Sequence, residues 1–191
     1  MTDLQTKQSR GARERLALSA RELVYEQGVE RTTLAQVADA AEVPVGNVYY
    51  YFKTKDELVE AAIDVLYDEL RGILDKAARH RSPRARLKGL VRALAAHTDA
   101  VAHRGCPIGT LCSELDKRED RLARRSAELL SQLVEWTEGQ FREMGRRDAR
   151  ELAVALIASY EGAALLSNSF GDPELMGREA RRLERWIDGL D

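Results

Sequence analysis

The sequence predicts an all-α protein: a small helix-turn-helix three-helix module followed by a larger helical bundle. Three observations carry that expectation. The 191 residues are rich in Ala, Leu, Glu and Arg, with only 4 prolines and 13 glycines, a composition of strong helix formers. Apolar residues recur every three or four positions along most of the chain. Capping signals cut that periodicity into about nine segments.

In order, residues 1–11 are polar and basic and read as an arm. Leu16, Ala20, Leu23 and Val24 give a first helix from Arg13 to Gln27, and Gly28 ends it as a C′ residue. Thr33 with Gln36 forms a capping box for a second helix carrying Leu34, Val37, Ala38 and Ala41. Pro44 opens a third, to about Tyr51. Thr54 with Glu57 opens a long helix to about Ala78. Ser82-Pro83 starts one reaching His103, and Cys106-Pro107 a short one to Leu115. A long helix from Asp120 to Met144 stops at Gly145. Asp148 with Glu151 caps the next, to Ser169, and Asp172-Pro173 begins the last, ending near Asp188. The expected domains are residues 1–55 and residues 56–191.

Composition narrows the function. The net charge of -2 announces no bulk attraction to nucleic acid, so any basic surface is local. The 2 cysteines are too few for a disulfide framework. No apolar leader precedes Arg13, and no run of about 18 apolar residues is evident. The expected compartment is the cytosol, with no membrane partner. No nucleophile–base pair, Glu-x-x-His pair or phosphate loop is present, so an enzyme is not expected. No cofactor is implied. His103-x-x-Cys106 lacks a third ligand at matching spacing, so no metal site is expected.

The short helices are the informative part. Two of them joined by a tight turn, after a supporting first helix, make a helix-turn-helix whose second member lies in the DNA major groove. Val37, Ala38, Ala41, Val43, Val48 and Phe52 form its core with Leu16, Ala20 and Leu23. Rings at positions 49, 50, 51 and 52 point all round a helix, so they cannot all be buried. That leaves Gly46, Asn47, Tyr49, Tyr50 and Tyr51 to face outward. Asn47 can bond a base edge or a phosphate. Thr33 and Lys55 mark helix N-termini suited to phosphate. Lys7, Arg10 and Arg13 either reach a minor groove or only solubilise the arm.

The stretch Thr33–Leu58, TLAQVADAAEVPVGNVYYYFKTKDEL, resembles the DNA-binding domain of the TetR family of bacterial transcriptional regulators. The likeness covers about residues 12–60, and the later helices match only in number, length and order. It implies a homodimer that represses from a near-palindromic operator and is released by a small-molecule inducer. By that likeness Thr33, Tyr49 and Lys55 hold phosphates, while Val45, Gly46, Asn47 and Tyr50 lie nearest base edges. Two departures stand out: Glu42 where the family usually has glycine, and Pro44 where it usually has a serine cap.

In the larger half, Arg150–Asn168 is apolar on many faces, with small residues at Ala155, Ser159, Gly162 and Ala163. With Leu152, Leu156, Leu166, Leu183, Trp186 and Ile187, it suggests a four-helix contact across a two-fold axis. A central core helix of one subunit is the alternative. An inducer pocket would be lined by Leu94, His97, Val101, Ile108, Leu111, Trp136, Phe141 and Tyr160, with Glu161 as polar anchor; packing alone also accounts for these residues. Cys106 has two readings: a redox-sensing thiol activated near a helix N-terminus, or a small buried hydrophobe.

Overall fold

The computed structural model describes residues 11–190, and among them all regular structure is helical. We number the helices α1 (Ala12–Arg31), α2 (Leu34–Ala40), α3 (Val45–Tyr51), α4 (Lys55–Ala78), α5 (Pro83–Leu94), α6 (Thr98–Arg104), α7 (Pro107–Leu115), α8 (Arg121–Glu143), α9 (Ala149–Phe170) and α10 (Glu174–Asp188). A 3₁₀ turn at Ala95–His97 joins α5 to α6, so the continuous helical runs among the described residues number nine. The arm residues Lys7 and Arg10 lie outside the described residues.

Most cap signals act as the sequence suggests. Thr33 and Gln36 form a complete capping box. Ser82 Oγ accepts the Ala85 amide at 3.3 Å, and Thr54 Oγ accepts that of Glu57 at 3.1 Å. Gly28 (φ 85°) and Gly145 (φ 82°) take the left-handed conformations that stop α1 and α8. A single turn continues past Gly28 to Arg31. Asp148 is the exception. Its carboxylate pairs with Arg146 at 2.9 Å instead of capping α9, and that pair holds its pKa below the usual carboxylate range.

The chain packs into two compact units. The first takes in residues up to Asp68 together with Leu111–Ser126; the second takes in Glu69–Thr110 and the residues from Ala127 on. The sequence-based division at 55/56 falls instead at the first residue of α4.

In the first unit, Leu16, Ala17 and Ala20 of α1 pack with Val37, Ala38 and Ala41 of α2. Val48 and Phe52 and then Leu58, Ala61 and Ala62 of α4 complete that core. Ala38 is 1% exposed, and its small side chain lets α2 approach its neighbours closely. The start of α8 and the 3₁₀ turn Asp116–Arg118 before it are held to α4 by Arg118–Asp56, Arg121–Glu60 and Arg125–Asp64 ion pairs.

In the second unit, α9 packs on α6 and α10, and α10 on α5. Leu87, Leu90, Leu129, Leu133, Phe141, Leu156, Leu183 and Ile187 fill its interior. Arg92–Glu184 and Lys88–Asp188 pairs run along the α5–α10 seam one turn apart on each helix. Such partly exposed pairs each contribute at most about 1 kcal/mol. Among the described residues α9 is the one helix long and apolar enough, by length and composition, to cross a membrane. Ala153, Leu156, Ile157, Tyr160 and Ala164 nevertheless bury one side of it in the unit's core.

Candidate nucleic-acid interface

Helix α3 has two unlike faces. Val48 is fully buried, and Phe52, just past the end, is 2% exposed. The opposite face shows Val45 at 49%, Tyr49 at 53% and Tyr50 at 79% exposure, with Gly46 and Asn47 also exposed. A seven-residue helix does not expose two tyrosines and a valine for its own stability, since burying them would be favourable. Tyr51 differs from its neighbours. It is half-buried against the module's core, and its ring meets that of Tyr50 edge to face at 5.1 Å.

The turn before α3 fixes how that face is presented. The Val43 amide donates to Ala38 O at 2.9 Å and the Glu42 amide to Asp39 O at 3.0 Å, the paired bonds of a Schellman ending for α2. Glu42 sits at the left-handed position, with φ 53°, where glycine is the low-strain residue. Pro44 then serves as N-cap of α3 with no side-chain cap bond. Both departures noted in the sequence are therefore accommodated without losing the turn.

Three cations lie on the same module. Lys53 Nζ donates to Tyr49 O at 2.6 Å, over the end of α3. The Arg13 guanidinium lies 5.2 Å from the Phe52 ring centroid. Lys55 Nζ donates to Glu30 O at 2.8 Å, one acceptor among the described residues for a group with three donors. Thr33 is exposed at the N-terminus of α2, where N–H groups project beyond the helix. Thus Thr33, Val45, Gly46, Asn47, Tyr49, Tyr50 and Lys55 share the surface of one small module. Their residue types, amide, hydroxyl, ring and ammonium, are those that contact bases and phosphates.

The other expected sites fare unevenly. Leu156, Leu183 and Ile187 are at most 2% exposed inside the second unit, so they have no surface to offer another chain. Trp186, half-buried, meets the Phe141 ring edge to face at 6.0 Å. The assignments of Leu156, Leu183 and Ile187 to the dimer contact are corrected to core, whereas Trp186 keeps some exposed surface. The reason is that α10 turns its apolar stripe onto α5 and α9 of its own chain. On α9, Leu152, Ser159 and Ala163 are half-buried, whereas Ala155, Gly162 and Leu166 are exposed. Val154, Ala158, Leu165 and Phe170 join the exposed set. At 100° per residue these seven span less than half the helix circumference, one apolar stripe.

The pocket residues converge only in part. Leu94, Val101, Ile108 and Tyr160 belong to one cluster with Cys106, Ala164 and Met176. His97 is exposed and Phe141 is packed elsewhere in the core. Leu111 falls in the first unit. The cavity beside this cluster is lined by Leu94, Ala95, Leu156, Tyr160, Met176 and Leu183, among others, and has about 10 Å³, room for one water. Sequence reasoning missed Met176 as a lining residue, although Met176, Ala180 and Leu183 form a stripe at helical spacing. The Tyr160 hydroxyl donates to Leu94 O at 3.3 Å, at the break between α5 and α6.

Glu161 reaches the same cluster through Cys106. Its carboxylate accepts from the Cys106 thiol at 3.1 Å and rests against Gly109, where any Cβ would meet it at 2.2 Å. Burial pushes the Glu161 pKa up. Burial, and then the nearby carboxylate, push the Cys106 thiol well above its ordinary value. A thiol held neutral is a poor nucleophile and oxidises slowly. The structure therefore favours the buried-hydrophobe reading of Cys106. Among the described residues neither Cys106 nor Cys112 is in a disulfide. Among the described residues no cluster of His, Cys, Asp and Glu could hold a metal.

Known proteins resemble this chain over two segments. Residues 18–62 match the family described as bacterial regulatory proteins, tetR family. Residues 83–181 match the C-terminal domain of LmrA/YxaF-like transcriptional regulators. An uncharacterised HTH-type transcriptional regulator of Lactococcus lactis is 29% identical over 130 residues, 65% of this chain and 65% of that protein. The HTH-type transcriptional repressor DhaR of Mycobacterium sp. (strain GP1) is 28% identical over 165 residues, 80% of each chain. A TetR transcriptional regulator from Chloroflexus aurantiacus has the same fold, with a TM-score of 0.83 over 97% of both chains at 21% identity.

Proposed function

The chain belongs to the TetR family of bacterial transcriptional regulators, and we propose that it represses transcription as a homodimer on a near-palindromic operator, released by a small-molecule inducer. It is a DNA-binding regulator and not an enzyme. The observation that carries the finer reading is the outward face of α3. Val45, Asn47, Tyr49 and Tyr50 are exposed while Val48 and Phe52 anchor the same helix.

In this reading α3 lies in the major groove. Val45, Gly46, Asn47 and Tyr50 approach base edges, with no Cβ at Gly46 to hold the backbone away. Thr33, Tyr49 and Lys55 hold phosphates and set the register. Tyr51, half-buried, props Tyr50 by its edge-to-face contact and touches DNA less. The homodimer is supported by the exposed stripe on α9, where Leu165 is 66% and Phe170 70% exposed. A second copy of the same stripe covers it under two-fold symmetry. The inducer would enter the second unit beside Tyr160 and Leu94, enlarging a cavity that now holds about 10 Å³. A ligand that binds the enlarged state better draws the protein toward it.

The test is selection of duplexes from a random pool by the wild-type protein, followed by binding of Asn47→Ala. The variant should lose discrimination at one base position in each half-site while keeping its affinity for unselected DNA. A uniform loss across all sequences would move Asn47 from base edge to backbone. Failure to enrich any sequence would refute the operator reading.

A further inference from the structure

We infer that Glu114, near the C-terminal end of α7, is a positioning residue for DNA binding: it holds the turn that sets Lys55 and Thr33 in place. The inference rests on the proposed phosphate contacts of those two residues. All the groups involved lie within the first unit.

The Glu114 carboxylate accepts two backbone N–H bonds, from Val29 at 2.9 Å and Glu30 at 3.0 Å. These amides open the single turn that follows the non-helical Gly28, where the regular helix ladder is interrupted. Charge-assisted bonds of this kind are the strong class. Residue Glu30 is then held on its carbonyl side as well, because Glu30 O accepts from Lys55 Nζ at 2.8 Å. Thr33, the N-cap of α2, follows three residues later, and Thr32 Oγ ties the intervening chain to Gly28 O at 2.7 Å. Glu114, Glu30 and Lys55 thus form one chain of contacts ending at a phosphate-seeking ammonium.

Two further observations point to the carboxylate's role. Gly28 has φ 85°, and a Cβ there would lie 3.1 Å from both Glu114 oxygens; the glycine serves the turn and leaves room for the carboxylate. Glu114 is also an acid in the last turn of its helix, where the macrodipole disfavours negative charge. Its interaction with the amides of residues 29 and 30 offsets that unfavourable placement.

The experiment compares wild type, Glu114→Ala and Glu114→Gln on a duplex that the wild-type protein selects from a random pool. Affinity is measured across a salt series, and amide hydrogen exchange is followed at Val29 and Glu30. Glu114→Ala should bind about tenfold more weakly. The slope of log K against log salt should fall by about one unit, the signature of one lost phosphate contact. Both amides should exchange faster. Glu114→Gln, with one acceptor oxygen, should be intermediate. A purely structural residue would lower stability without changing the salt slope of the folded protein. Faster exchange at both amides with unchanged affinity and slope overturns the assignment. Should Glu114→Ala not fold, a wild-type slope in Glu114→Gln overturns it equally. Failure of the wild type to select any duplex overturns the phosphate reading, and this assignment with it.

Discussion

Replacing Glu42 by glycine should stabilise the reading module. Glu42 occupies the C′ position after α2 with φ 53°, and Val43, next in the turn, is 6% exposed in the core. An L-residue in the left-handed region costs roughly 1–2 kcal/mol. Glycine removes that strain but gives the unfolded chain about 0.4–1 kcal/mol of extra freedom. The difference leaves a gain of about 0.5–1 kcal/mol. For a chain of this length that raises Tm by about 1–4 °C. Thermal unfolding at one fixed protein concentration reads the effect, since dimer formation makes Tm depend on concentration. Glu42→Ala is the control, because it removes the carboxylate and keeps the strained φ. The reasoning requires Glu42→Gly to exceed Glu42→Ala by several tenths of a kcal/mol. Equal stabilities would show that the turn is not strained by its side chain.

Other perturbations test other parts. Lys55→Ala should weaken binding to all duplexes alike and lower the salt slope by about one unit; an unchanged slope removes Lys55 from the interface. Gly162→Leu should abolish the dimer in sedimentation, because nothing within its own chain obstructs a Cβ there and any loss arises from the facing helix. Glu161→Gln should be stabilising at neutral pH. Because the folded pKa of Glu161 is raised, wild type is at no disadvantage below about pH 4 and loses stability as pH rises through the folded value. The Tm difference should therefore grow from about pH 4 to pH 8, and a flat difference would contradict the burial argument. Cys106 should resist alkylation by iodoacetamide in the folded protein at pH 7.5, while unfolded protein reacts; rapid folded-state labelling would reopen the redox reading.

What the sequence disclosed and what it concealed divide along physical lines. The Thr33–Gln36 box, the Ser82 cap and the stops at Gly28 and Gly145 depend on residues within a few positions of one another, so they were legible. So was the exposed face of α3, since four consecutive rings cannot all be buried. The break at Ala95–His97 carries no glycine or proline, and the nearby Leu94 carbonyl is bonded by Tyr160, far along the chain. The burial of Leu156, Leu183 and Ile187 was misassigned because periodicity shows that a face is apolar, not what covers it. Glu114 left one faint trace, an acid in a helix's last turn. Its partners are backbone amides more than eighty residues away, and no side-chain pattern reports those.

The most direct test of the account is a hydroxyl-radical footprint of the wild-type protein on its selected duplex, with the number of bound chains counted on the same sample. The account predicts two chains per site, or a multiple of two, and protected patches related by a two-fold axis. Half-site centres should lie about 34–36 Å apart, or a multiple of that, along one face of the duplex. A single asymmetric patch occupied by one chain would contradict it.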